Sequence, residues 1–458
     1  MEAFKSFISE AKDEKYKVVI LTVEHGDKSI TAKKLSKEAT KLGLQNTIVN
    51  FNGATLRYDD GNHFIHGVDD EKGFQVNSSD TIIFVRGTPT KDSHLDLISE
   101  FERLGYCCVN NRTTINICAD KYRNYVRLKD YGLTQPKTVL IPNKDMIDFS
   151  LESLDTRFPI IMKTLRGSKG VGVLFIESKR ALDAIVQLVY KTEEDSDLLI
   201  QEYIKTDFDV RVIVLDGRIV ATMQRDVVEG DFRSNYSQGG KVKSYKLTSM
   251  EEKECLLAAK AVDGIFTAVD FIPARNRERS PPYILEVNSS PGTDGIEEAN
   301  NVNIAKEVLT HFLNPDVRYS VPSQCGYNEV VEIEPFGEMV AKFDTGNSVL
   351  SVLHADNIKV TGNKISFTNN GKPYTTTLVK EYEAQTGAGI DERYVVKLNL
   401  TFSGSTHEFM FGLDDRSKLG TDVLLNRFVM NKLNVMVNPQ RKFLVTTNGE
   451  YEWVWAHN

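Results

Sequence analysis

Asp270 lies in the run TAVDFIPA, and Glu286 and Asn288 lie in the run YILEVNSS. Both runs are rich in the β-branched and aromatic residues of strands. Residues two apart in a strand share a face, so Glu286 and Asn288 project together. If the two strands pair as a hairpin, Asp270 faces them across the ladder. Two carboxylates and one amide oxygen then form a hard-oxygen patch suited to magnesium carrying phosphates. The same residues could equally be unrelated charges on a solvated sheet face.

Cations lie upstream. In KTLRGSKGVGV, Lys163 ends a strand pattern and is followed by Gly167, Ser168, Gly170 and Gly172. Glycines let backbone N–H groups approach phosphate oxygens, and the lysine adds a point charge. The loop is neither a GxxxxGK[ST] phosphate loop nor spaced as a dinucleotide fingerprint, and glycine spacing alone also fits a flexible hairpin. Lys121 follows Asp120 one turn into a predicted helix, where a surface lysine is the simpler reading in isolation. Arg225 and Arg233 sit in MQRDVVEGDFRSN, whose arginines suit phosphoryl or carboxylate binding or a solvated loop.

These residues need a scaffold. Strand patterns at Lys17–Val23, Asn46–Phe51, Asp80–Arg86 and Cys107–Val109 are spaced by helical ones, which predicts a parallel α/β layer. A long helix is expected over Thr114–Tyr131, with Gly132 as its stop. More strands follow, around LLIQEYI, VRVIVLDG and RIVATMQR, then a helix over Ser249–Ile265 and the two acidic strands. Composition shifts at NPDVRYSVPSQCGYN, and the rest reads as short β-branched runs between Gly, Asn and Asp turns. The expected division is an α/β domain over 1–115, a second over 116–314, a linker over 315–329 and an all-β domain over 330–458.

Bulk properties narrow the classes. The chain has 458 residues, 41% of them hydrophobic, and a net charge of -8, which argues against general binding to nucleic acid or anionic membrane. Five cysteines without a CxxC pair argue against a disulfide framework or thiolate zinc site. The charged start MEAFKSFISEAKDEKYK is unlike a signal peptide, and no apolar run reaches membrane-spanning length, so a cytoplasmic location is expected.

The order of the pieces is more specific than any one of them. A helix lysine, a strand lysine, a Gly-rich loop, QEYI, an arginine loop, an Asp strand and ExN follow one another. That order resembles ATP-grasp enzymes, specifically the RimK-type ligases that add glutamate to the C-terminus of a ribosomal protein. The resemblance runs from about residue 1 to 315 and is densest in VNNRTTINICADKYRNYVRLKDYGL, IIMKTLRGSKGVGV, EGDFRSNYSQGG and YILEVNSSPGTDGIE. It implies a pre-ATP-grasp α/β domain followed by an ATP-grasp domain. By resemblance, Lys121, Lys163 and the loop of Gly167, Ser168, Gly170 and Gly172 hold ATP phosphates. Gln201, Glu202, Tyr203 and Ile204 resemble the adenine-binding segment, and Asp209 the ribose-side acid. Arg233, Ser234 and Asn235 match a further nucleotide- and substrate-binding stretch, and Asp270, Glu286 and Asn288 match the metal ligands. Arg225 resembles an arginine beside the transferred phosphoryl group, which makes Arg225 and Lys163 the expected catalytic pair.

The resemblance implies ATP and Mg2+ as cofactors, with Mn2+ as a substitute, and an amino acid and a carboxylate acceptor such as a protein C-terminus as partners. It implies that the acceptor carboxylate becomes an acyl phosphate, which the amine then attacks. A small-molecule dipeptide-type ligase is the alternative within the same fold. Where this family often has a second arginine after Arg225, the chain has Asp226, whose negative charge would weigh against an acidic substrate if it faces the pocket.

The last domain carries VAKFDTGNS, with Asp344, Thr345 and Gly346 forming an Asp-Thr-Gly after an apolar strand. With LDDRSKLGTDVLLNRFVMNKLNVMVNP, it resembles the retropepsin-like barrel domain that accompanies RimK-type ligases. Aspartic proteolysis needs two carboxylates sharing a proton, so activity there would require a homodimer with Asp344 at its axis. The zinc associated with that domain finds little support, since His354, His407 and His457 are scattered in sequence.

Overall fold

The computed structural model describes residues 16–24, 29–59, 62–68, 70–166, 172–192, 197–227, 242–314, 317–318, 320–386 and 389–446. The chain forms two compact units, Met1–Ser320 and Val321–Asn458.

The first unit begins with a parallel sheet ordered β2-β1-β6-β7. Its strands are β1 (Lys17–Thr22), β2 (Gln45–Asn50), β6 (Thr81–Arg86) and β7 (Cys107–Val109), with α1 (Ile30–Lys41) and α2 (Asp92–Arg103) between them. A small antiparallel sheet of β3 (Thr55–Asp59), β4 (Asn62–His66) and β5 (Phe74–Val76) interrupts the series. Val18 and Ile20 enter one buried cluster and Val19 and Leu21 another. The strand is thus covered on both faces, as its unbroken apolar run requires.

Two short helices lead out of this layer: α3 (Arg112–Cys118) and α4 (Lys121–Asp130). They replace the single helix expected over Thr114–Tyr131. The break falls at Asp120, whose backbone is extended (φ -127, ψ 121) and whose carboxylate caps the second helix by accepting from Arg123 N. Lys121 therefore opens α4 instead of lying a turn inside a helix.

An antiparallel sheet ordered β10-β9-β11-β8 follows, built from β8 (Thr138–Ile141), β9 (Ile160–Thr164), β10 (Val173–Ile176) and β11 (Leu198–Glu202). Ile160, Met162, Leu198 and Ile200 pack on α5 (Ile147–Leu154) and α6 (Lys179–Thr192). Alternation turns Lys163 and Gln201 to the other face.

The central sheet is ordered β14-β13-β12-β15-β16, with β12 (Phe208–Leu215), β13 (Arg218–Asp226), β14 (Val242–Ser244), β15 (Phe266–Ile272) and β16 (Tyr283–Asn288). On one face Val210, Val212, Val269, Phe271, Ile284 and Val287 pack with Ala258 and Val262 at α7 (Ser249–Ala261). On the other, Ile213, Leu215, Met223, Phe266 and Ala268 share a core with Val18, Ile20 and Val308. Val308 belongs to α9 (Ile304–Phe312), which follows α8 (Asp294–Asn300). Farther along that second face the same alternation delivers Asp209, Arg211, Arg225 and Asp270. One sheet face is therefore apolar at one end and charged at the other.

The second unit is mostly β. Strands β18 (Asn328–Ile333), β19 (Gly337–Phe343), β27 (Val423–Leu425), β20 (Ser351–His354), β26 (Ser405–Asp414) and β25 (Gly389–Phe402) pair in that order. β25 pairs back to β18, which closes a barrel, and β24 (Lys380–Thr386) extends from β25. β21 (Asp356–Thr361), β22 (Lys364–Asn369) and β23 (Lys372–Thr377) form a separate sheet. β17 (Ser323–Gly326) lies inside the stretch whose composition suggested a linker, and it pairs with β28 (Val435–Asn438), which follows α10 (Arg427–Lys432). Among the described residues, no helix is long and apolar enough to cross a membrane.

Candidate active site

Register across the central sheet builds a row of charges. Asp209 on β12 stands opposite Arg225 on β13, Arg211 opposite Asp270 on β15, and Asp270 opposite Glu286 on β16. Arg225 grips Asp209 with two bonds of 2.6 and 2.8 Å, and its Nη2 lies 3.0 Å from Asp270. Arg211 holds both Asp270 oxygens, at 2.8 and 2.6 Å. Asp270 is only 4% exposed. Burial pushes its pKa up, but Arg211 and Arg225 outweigh that and bring it down to about 2. Arg225 is likewise deprived of solvent by burial, yet Asp270 and Asp209 hold its proton more firmly than usual.

A β-bulge decides where Glu286 points. Asp270 pairs with Glu286, but Phe271 pairs with Ile284, which leaves Leu285 as an extra residue. Ile284 and Val287 therefore both reach the core although they are three apart. Strict alternation from Ile284 would have turned Glu286 inward. With the bulge, Glu286 shares a face with Asn288, whose Nδ2 donates to its Oε1 at 3.2 Å.

Facing charges come from two other elements. Lys163 Nζ donates to Gln201 Oε1 at 2.7 Å, and Gln201 Nε2 donates to Thr138 Oγ1 at 2.8 Å. Lys163 lies deep, though part of its side chain still meets solvent. Burial draws its pKa down to about 8, with Glu286 opposing that and Lys121 adding to it. Burial also lowers the Lys121 pKa, against the pull of Glu286 and Asp120. Two partly desolvated lysines thus both feel the charge of the Glu286 carboxylate. Such a cluster sets two cations beside oxygen ligands, which suits a metal–phosphate group. Asp270 already accepts three hydrogen bonds, so it has little lone-pair capacity left for a metal unless an arginine shifts.

Two asparagines that carry no sequence signal tie these parts together. Asn124 on α4 donates to Val287 O at 2.9 Å and accepts from Val287 N at 3.3 Å. Asn110 donates to Phe266 O and Ser289 O, both at 2.7 Å, and accepts from Ile265 N and Phe266 N. Both are almost fully buried. Lys121 N donates to Leu165 O, which joins the start of α4 to the end of the lysine strand.

Gly172 has φ +79, and a Cβ there would meet Thr164 Oγ1 at 2.3 Å, so only glycine fits. Gly167, Ser168, Gly170, Arg233, Ser234 and Asn235 lie outside the described residues. Glu202 ends β11, its N donates to Lys137 O, and Tyr203 and Ile204 start the connection to the central sheet. Tyr203 packs edge-on against Phe175 at 5.0 Å. Asp209, the expected ribose-side acid, accepts from Arg225 with both oxygens. Asp226 does not stand beside Arg225 in the pocket. Adjacent strand residues face opposite ways, and Asp226 Oδ1 accepts from Gln224 Nε2 at 2.6 Å on the other face. Arg211 escaped the sequence reading, although its spacing from Asp209 in DVRV, between inward valines, places it on the same face.

In the second unit, Asp344 N donates to Leu425 O, and its Oδ1 accepts from Gly346 N at 2.9 Å. Thr345 and Gly346 are exposed. The fold brings His354 together with Asp356 and Asp415, their ligand atoms lying within 4.8 Å of one another, so His354 is less isolated than its sequence position suggests. Yet Arg416 N donates to His354 Nδ1 at 3.0 Å, and Nε2 lies 3.2 Å from Asp356. A neutral ring then carries its proton on Nε2, which leaves neither nitrogen's lone pair open to a metal.

Residues 118–312 match the family model described as the RimK-like ATP-grasp domain. A protein of Thioalkalivibrio sulfidiphilus named probable α-L-glutamate ligase is 32% identical over 249 residues, which span 54% of this chain and 80% of that one. A protein of the same name from Coxiella burnetii is 34% identical over 215 residues, 46% of this chain and 69% of that one. Among solved structures, the ATP-grasp ligase PsnB complexed with minimal precursor aligns with a TM-score of 0.50 and 17% identity, over 65% of this chain and 98% of that one. At that identity the match bears on the fold alone.

Proposed function

The chain belongs to the RimK-like ATP-grasp family of ligases, and on that premise we propose that it uses ATP and Mg2+ to add glutamate to the C-terminus of a protein or peptide. The observation that supports this most is that Lys163, on one sheet, and Lys121, on α4, both feel the charge of Glu286 on the central sheet, which sets phosphate-type cations in the field of a metal-type oxygen ligand. The choice of glutamate follows the names of the relatives.

In this reading Lys163 and Lys121 neutralise ATP phosphates, and Arg225, fixed by Asp209, stands at the transferred phosphoryl group. Glu286 and Asn288, with Asp270 beside them, would hold Mg2+, which when bound supplies positive charge to the phosphate oxygens. A carboxylate oxygen of the acceptor attacks the γ-phosphorus, and ADP leaves with the bridging oxygen. The amine nitrogen of glutamate then attacks the acyl carbon, phosphate leaves, and the nitrogen gives up a proton. Positioning and charge neutralisation are what such a transfer demands, and no protein nucleophile is needed.

Incubation with ATP, Mg2+, glutamate and a panel of peptide C-termini, followed by ADP release and intact mass, tests the reading. A glutamate-dependent mass gain on a peptide supports it. ADP release with a small free acid, and no mass gain on any peptide, would replace it with a small-molecule ligase.

A further inference from the structure

Among the described residues of the first unit, two arginines are buried almost completely, Arg86 and Arg225, each 3% exposed. Their surroundings differ. Arg225 has two carboxylates at hydrogen-bond distance. Arg86, the last residue of β6, donates from Nη2 to the carbonyl of Pro291 and lies over the Phe266 ring, 5.5 Å from its centre. Its Nε has no partner. Burial pulls its pKa down to about 10, and Glu24 acts against that only through space.

A guanidinium removed from water normally takes a carboxylate or phosphate with it. A buried donor with no acceptor calls for an explanation, a missing ion among them. The location points to a ligand. Arg86 ends a parallel strand, the edge at which open α/β sheets receive small molecules. Ser290 and Pro291 directly follow the strand that carries Glu286 and Asn288, and Gly87 N donates to Ser290 Oγ at 2.7 Å. Asn288 pairs with Ala268, and Phe266 lies two residues along β15. At about 3.3 Å per strand residue, Phe266 is roughly 7 Å along the sheet from that pair, and Arg86 lies over its ring, which puts the guanidinium in the neighbourhood of the Asn288 end of β16.

We infer that Arg86 is the carboxylate-binding residue of the substrate site: it holds a carboxylate of the amino acid or peptide that is not the one activated. The inference rests on the ligase reading, because only an amino-acid or peptide substrate keeps a spare carboxylate there. The free Nε is the donor, with Nη2 kept on Pro291 so that the loop after the Glu286 strand registers the bound anion.

The full chain is titrated with glutarate, glutaramide and inorganic phosphate while Tm is followed, in wild type, Arg86→Lys and Arg86→Gln. Glutarate should raise the wild-type Tm, glutaramide should not, Arg86→Gln should lose the rise, and Arg86→Lys should keep part of it. A wild type without a glutarate-specific rise overturns the inference, as does an Arg86→Gln that responds like wild type. An equal response to phosphate assigns the site to a nucleotide phosphate and also overturns it. If Arg86→Gln does not fold, wild type alone decides by kinetics. Converting one of glutamate's two carboxylates to its amide should lower kcat/KM by about 10- to 100-fold, and equal use of both amides and glutamate overturns the inference. No ligation with any amino acid would instead remove the proposed function, a result read from ADP release and independent of the Tm series.

Discussion

Asn124 bonds both the N–H and the C=O of Val287, and it stands three residues along α4 from Lys121. Residues three apart lie on neighbouring positions of one helix face. The helix therefore carries a candidate phosphate lysine and clamps the residue between Glu286 and Asn288. The spacing between lysine and carboxylate is set by one rigid support.

Asn124→Ala should leave two buried backbone groups without partners and cost about 1–3 kcal/mol of stability. It should also raise the Mg2+ concentration needed for half-maximal turnover by about tenfold, while metal-free ATP affinity changes little. Urea unfolding and a Mg2+ titration at saturating ATP measure both. A variant that is destabilised but keeps the wild-type Mg2+ requirement would make Asn124 a structural clamp only.

Glu286 and Asp270 should respond differently to loss of charge. Glu286→Gln should abolish turnover with little change in Tm, because Glu286 lies on the half-buried face. Asp270→Asn would leave Arg211 and Arg225 buried beside a neutral group, which costs about 3–5 kcal/mol. The Asp270 pKa sits near 2, below its ordinary 3.8, so the stability it brings is complete above about pH 4 and is lost as pH falls through 2. That contribution is about 2 kcal/mol. Urea unfolding between pH 2 and 5 should show it in wild type and not in Asp270→Asn.

ATP affinity should depend on Lys163. With its pKa drawn down to about 8, the free protein carries this charge below pH 8 and loses it above. Triphosphate raises the pKa, so ATP binding should take up a proton in and above that window and weaken as pH rises through it. Calorimetry in two buffers of different ionisation enthalpy reads the proton. Lys163→Met should bind weakly at every pH with no uptake, and an unchanged uptake in that variant would exclude Lys163 as its source.

Asp226→Ala should leave selection of glutamate over other amino acids within about twofold, since Asp226 bonds Gln224 on the face away from Arg225. A competition assay with mixed amino acids checks this. A marked gain for glutamate would place the Asp226 charge at the substrate after all.

Asp344→Asn keeps the acceptor for Gly346 N, so its stability should stay within about 1 kcal/mol of wild type. ATP turnover should be unchanged, because every residue proposed for it lies in the first unit. Turnover and peptide cleavage are measured side by side. Lost turnover in a folded variant would bring the β unit into the ligase site.

Local patterning was enough for most of the strands and for the order of the chemistry. KVVILT had to be a strand covered on both faces, and TAVDFIPA and YILEVNSS had to be strands carrying acids. The succession from Lys121 to Asn288 pointed to the family. These features depend on local spacing, and a periodicity of two or of 3.6 survives in one dimension. Tertiary structure decided the rest. The break at Asp120 depends on a cap and on Leu165 accepting from Lys121 N. The bulge at Leu285 settled the face of Glu286. The burial of Asp270 between two arginines follows from the register of three strands, and the face of Asp226 from the phase of β13. Asn110, Asn124 and Arg86 meet partners more than a hundred residues away. Short-range patterns fix which way a side chain points along its own element. Which charge or carbonyl it then meets depends on how distant segments pack, and no local spacing records that.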